Sequence, residues 1–157
     1  MIGLKETIEK FALSDKSRDE ILNGGIDAPF EFEQVAKVVL AGHIIVACGN
    51  EQVVIHPTCV EFYYHEEFDR GIKDLIVYHR NPKDNKKKKE IFNLGILHNH
   101  VSGIDITFEG GTCPDNAVRA SLLIREFEIN GELEKRPTRI YEALFSQFSI
   151  FDGFSVK

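Results

Sequence analysis

The spacing of apolar residues changes period at Gly42, and that change limits what the chain can fold into more than any other feature. Upstream, residues 30–42 (FEFEQVAKVVLAG) place Phe32, Val35, Ala36, Val39 and Leu40 on one face of a helix. Downstream, HIIVACG and EQVVIHP are separated by Gly49-Asn50, and a two-residue link of that kind between strand-like runs specifies a tight β-hairpin. The run TCVEFYYHEE follows. Because side chains alternate along a strand, Cys59, Glu61, Tyr63 and His65 share one face of it and Val60, Phe62 and Tyr64 the other. Further strands are expected over residues 72–79, 91–100, 101–108 and 119–129.

Both ends return to helical spacing. Residues 4–13 carry Leu4, Ile8, Phe11 and Ala12 at helical intervals, and a second short helix over 15–22 is stopped by Asn23-Gly24-Gly25. Residues 137–148 form an apolar stripe of Ile140, Tyr141, Leu144 and Phe145, with Pro137 suited to the first turn. Helices, then strands without intervening helices, then a closing helix predict an α+β fold: a curved, mostly antiparallel sheet flanked by N-terminal helices and a C-terminal helix. One domain is expected over residues 1–157, with a helical segment at 1–29 and the core at 30–157; 157 residues with 12 Phe suffice for one core. No window nears the roughly 18 apolar residues of a membrane helix, and the start lacks a secretion signal, so a monomeric cytoplasmic protein without membrane contact is expected. Cys48, Cys59 and Cys113 are an odd set without a CxxC, read as reduced, with Cys48 and Cys59 buried in apolar strands.

Arg125 follows Leu122-Leu123-Ile124, and a charge buried in such a run needs a partner. Glu61 is the natural one. Tyr63 shares the face of Glu61, and His79 ends the following strand. Such a group reads either as a structural ion pair edged by aromatics or as a site. A second group is His98-Asn99-His100 with Ser102 and Asp105, where two imidazoles on one strand face could begin a zinc site. The net charge of -6 gives no general attraction to nucleic acid, although Arg80, Lys83 and Lys86 to Lys89 oppose only Asp84 in a local basic patch.

In order along residues 30–156, several segments resemble the alkyladenine (3-methyladenine) DNA glycosylase family. FEQVAKVVLAGHIIVA is similar to its opening helix and strand, CVEFYYHEE to its central strand, SLLIREFE to its arginine-bearing strand and PTRIYEALFSQFSIFDGFSV to its closing segment. The resemblance implies a hydrolase of base excision repair acting on alkylated or deaminated purines in DNA. Glu61 would activate water and Arg125 would hold it; Tyr63 and His79 would stack on the flipped base. His98 falls where the family has a tyrosine wedge and Asp105 where it has a base-contacting asparagine, both within GILHNHVSGIDI. No cofactor or metal is implied. The alternatives are a non-catalytic nucleic-acid or small-ligand binding protein on the same fold, and a zinc hydrolase using His98 and His100. For the second, HNHVSG is similar to a segment of the JAMM metalloprotein family, whose third ligand lacks a counterpart at the required spacing.

Overall fold

The computed structural model describes residues 28–67, 69, 71–74, 76, 97–100, 102–107, 118–146, 148 and 155–156. The elements run α1 (Ala28–Leu40), β1 (Ile44–Cys48), β2 (Glu51–Glu66), β3 (Leu97–His100), β4 (Gly103–Thr107), β5 (Val118–Ile129), β6 (Glu132–Glu134), a 3-10 turn (Pro137–Arg139), α2 (Ile140–Phe145) and β7 (Ser155–Val156). The strands form one sheet in the order β3-β4-β5-β2-β1-β7, with β6 paired to β5, and every pairing is antiparallel. The α+β class and the antiparallel sheet expected from the sequence are therefore present. None of the described helices is long and apolar enough to cross a membrane.

The helix over 30–42 forms as α1, and its period-3.6 stripe lies on the sheet. Val35 and Val39 are buried, and the Phe32 ring stacks on Phe62 at 4.7 Å and meets Tyr64 edge-on at 5.7 Å. From the other end Ile140 and Leu144 of α2 enter the same core, beside Ile104, Ile106, Leu122 and Ile124. The first hairpin turns at Gly49-Asn50 with φ of 59° at Gly49, a left-handed conformation that glycine adopts without steric cost.

β2 continues through Pro57 as one 16-residue strand, and its parity reverses on the way. Val53, Ile55 and Pro57 face inward before the reversal; Val60, Phe62 and Tyr64 face inward after it. The pairing with β5 shows why. Between Pro57↔Phe127 and Cys59↔Glu126 the extra residue is Thr58, and between Cys59↔Glu126 and Val60↔Ile124 it is Arg125. Each strand thus carries one bulge residue, and each flips the side chains beyond it. Cys59, expected buried, is exposed because it sits between the two bulges.

Other expectations are corrected. Residues 72–74 are irregular and Ile76 is in a turn, so no strand begins at 72. Here Glu66 captures the backbone instead, its carboxylate accepting from the Ile72 N–H at 2.7 Å while its own N–H donates to the Ile72 carbonyl at 2.8 Å. The closing helix begins at Ile140, because residues 137–139 wind as a 3-10 turn. β6 and β7 were not anticipated, although Asn130-Gly131, with φ of 53° and 80°, is a strong signal for the β5–β6 hairpin. The expected helices over 4–13 and 15–22 lie outside the described residues, as does the basic patch between Arg80 and Lys89.

Gly103 opens β4 with φ of +138°, and a Cβ there would stand 2.9 Å from the Pro137 carbonyl oxygen and 3.1 Å from Leu123 Cδ1. The 3-10 turn can therefore close onto β4 only over a residue without a side chain. Gly103→Ala is expected to cost about 1–3 kcal/mol, read as a lower urea midpoint at unchanged slope.

Candidate functional site

The reversal in β2 turns Glu61, Tyr63 and His65 to the sheet face opposite α1, and the bulge in β5 sends Ser121 and Leu123 there too. Successive rows cross this face. Glu61 pairs with Leu123, which pairs with Asp105, which pairs with His98; Tyr63 pairs with Ser121, which pairs with Thr107; His65 pairs with Arg119. Two strand spacings, about 10 Å, separate the backbones of Glu61 and Asp105.

Glu61 and Arg125 meet as expected, Oε2 to Nε at 3.0 Å, but their side chains are 40% and 45% exposed rather than buried. The bulge accounts for this. Arg125 is the residue that has no counterpart on β2, so it leaves the apolar run and reaches Glu61 from the side. A pair so wet contributes only about 0.2–1 kcal/mol, and stability alone does not explain the arrangement. It does hold the Glu61 carboxylate against the Arg125 guanidinium while leaving it open to solvent.

Tyr63 stands beside Glu61 on this face. Partial burial of its ring, then hydrogen bonding with and charge from the neighbouring Glu61 carboxylate, with a smaller contribution from Asp105, push the phenol from 10 up to about 12, against the opposing pull of Arg125. The phenol stays protonated at neutral pH. Because the native state retains this proton between pH 10 and about 12 while the unfolded chain loses it, the contribution is whole below pH 10 and disappears as pH rises through 12. A phenolate absorbance titration should show a late component near 12 from Tyr63, and Glu61→Gln should bring that component back toward 10. Unchanged late titration in that variant would mean that Glu61 does not touch Tyr63.

Asp105 is 2% exposed, and its Oδ2 accepts from Ser121 Oγ at 3.3 Å. His98, half-buried, stands opposite it across the β3–β4 ladder. Four of the anticipated residues, Glu61, Tyr63, Arg125 and Asp105, thus share one face of three adjacent strands, with His98 on a fourth. His79 and the side chain of His100 lie outside the described residues. Among the described residues no group of three His, Cys, Asp or Glu is arranged to hold a metal.

No protein-family model, curated protein or solved structure matches the chain.

Sequence reasoning missed Ser121 and a buried network in the next rows. Arg119, fully buried, has its Nε 3.1 Å from Glu67 Oε1, and the same carboxylate lies 3.5 Å from His65 Nε2. His65 Nδ1 is in turn hydrogen-bonded to the backbone of Asp74, 2.9 Å from its carbonyl oxygen and 3.1 Å from its N–H. The signal lay in the alternation: Arg119, Ser121 and Leu123 occupy every second position, opposite His65, Tyr63 and Glu61. Beside them the Tyr64 hydroxyl donates to Glu66 Oε1 at 2.8 Å. This end of β2 is cross-linked by charge and hydrogen bonds on both faces, a firm base for the open pair at Glu61.

Proposed function

We propose that the protein is a divergent DNA glycosylase that hydrolyses the N-glycosidic bond of a damaged purine. A bond of this kind is shielded inside a duplex, so the nucleotide must leave the stack and lie against a protein surface offering an aromatic face and a fixed base. Tyr63 supplies the face and Glu61 the base. In the step itself Glu61 accepts a proton from water, the water oxygen bonds to C1′ of the sugar, and the C1′–N bond breaks with its electron pair leaving on the base. An alkylated, cationic purine leaves as a neutral molecule, which favours damaged over normal bases. Arg125 keeps the carboxylate aimed, and Asp105, buried and held by Ser121, lies two strands away behind the surface on which the base would rest.

The observation that carries this reading is the half-exposed Glu61 carboxylate held by Arg125 at 3.0 Å beside Tyr63. The test is single-turnover excision from duplex oligonucleotides containing 3-methyladenine, ethenoadenine or hypoxanthine. Release of any of these bases by the wild-type protein, with an abasic product, is expected. Binding without release would favour a non-catalytic binding protein on the same fold, a reading that the net charge of -6 already permits for a small or uncharged ligand. Neither binding nor release would overturn the repair reading and any DNA-binding role.

A further inference from the structure

At the corner where α1 gives way to β1, two histidines that the proposed chemistry does not use face each other. The β1–β2 ladder begins at Ile44↔Ile55, so His43 and His56 occupy the next opposed positions, and their rings lie 5.0 Å apart, tilted by 38°. His56 Nδ1 is 2.7 Å from the Gly42 carbonyl oxygen. A carbonyl oxygen can only accept, so at that distance Nδ1 carries the hydrogen and the neutral ring presents its lone pair at Nε2. A ring nitrogen anchored to a backbone carbonyl is the arrangement that orients metal-ligating histidines.

We propose that His43 and His56 form a binding site for a divalent first-row transition ion, Zn2+ or Cu2+. The geometry suits it. With metal–nitrogen bonds of about 2.0 Å and a tetrahedral angle, two coordinated imidazoles have ring centres about 5 Å apart, the separation already present before any ion binds. Imidazole nitrogen selects such ions over Mg2+ and Ca2+, which prefer oxygen ligands. Both rings are reachable, His43 exposed and His56 half-buried. Glu128 pairs with His56 from β5, and paired residues share a face, so a carboxylate stands on the next strand to join water in completing the coordination. Among the described residues no group of three His, Cys, Asp or Glu is arranged to hold a metal, so the site rests on the two imidazoles, with Glu128 or water to be recruited on binding. A bound ion would tie the exit of α1 to β2 through side chains as well as through the Gly42 carbonyl.

The experiment is calorimetric titration of the full chain with ZnCl2 and separately with CuCl2, alongside thermal melts, for wild type, His43→Ala, His56→Ala and a His98→Ala/His100→Ala control. Wild type should bind one equivalent at this site and melt higher with metal than without. His43→Ala should weaken that binding by about tenfold or more and abolish the shift in melting, the control should retain both, and MgCl2 should do nothing. His43 is exposed, so its replacement keeps the fold; should His56→Ala unfold through loss of its Gly42 anchor, His43→Ala alone decides. Wild-type affinity in His43→Ala, loss confined to the His98/His100 control, or no metal binding by the wild type would each overturn the site.

Discussion

Glu61→Gln is expected to slow base release by about 10²- to 10⁴-fold while leaving affinity for the damaged oligonucleotide within a few-fold of wild type. The magnitude is that of a positioned general base. Gln keeps the shape, but it cannot take a proton from water. The change in folding stability should stay below about 1 kcal/mol, because the Glu61–Arg125 pair is half-exposed and water replaces much of its attraction. That separation makes the experiment decisive: a large loss of rate without a loss of stability assigns chemistry to the carboxylate. Equal release by wild type and variant would remove Glu61 from the mechanism, and unfolding of the variant would show that the pair is structural after all. Arg125→Ala, which leaves the carboxylate in place but unheld, should fall between the two in rate.

Arg119→Met should have the largest effect on stability, a loss of about 3–5 kcal/mol. Arg119 is fully buried and the Glu67 side chain is only 6% exposed, so removing the guanidinium takes the permanent cation from a carboxylate that water cannot reach well and leaves it His65, 3.5 Å away. One consequence separates this mechanism from simple loss of packing. Adding Glu67→Leu to Arg119→Met should recover most of the stability, since an apolar pair of similar volume replaces a buried ion pair at little net cost. A neutral single variant in urea denaturation would show that Glu67 finds water or another cation; failure of the second substitution to rescue would attribute the loss to shape instead.

Much of the architecture is legible in periodicity. The helix over 28–40 and the Gly49-Asn50 hairpin follow from spacing and turn chemistry that act within a few residues, which is why a linear reading reaches them. The closing helix was placed correctly but too long, because Pro137 starts a tighter turn that must fit over Gly103. The strand expected from 72 fails for a different reason: the Ile72 backbone is engaged by Glu66, and alternation of apolar residues cannot reveal which partner claims an N–H.

At the site, the pairing of Glu61 with Arg125 was legible from the cost of an unpartnered charge, and the shared face of Glu61 and Tyr63 from strand alternation. The openness of the pair was not. A charged residue after three apolar ones reads as buried only if the strand keeps its register, and here two bulges, at Thr58 and Arg125, break it. Their positions depend on how β2 and β5 fit side by side, a relation between segments some 60 residues apart that neither segment encodes alone.

By itself, then, the order of residues determined α1, the first hairpin, the long strands β2 and β5, the antiparallel character of the sheet and the identity of the carboxylate and guanidinium that meet. Tertiary structure alone decided which sheet face those groups occupy, that water reaches them, that Asp105 lies two strands from Glu61, and that Arg119, Glu67 and His65 are closed in behind them. The physical reason is register. Local periodicity sets which side chains alternate, but a single inserted residue in a paired strand exchanges the two faces, and only the packing of one strand against another determines where that residue falls.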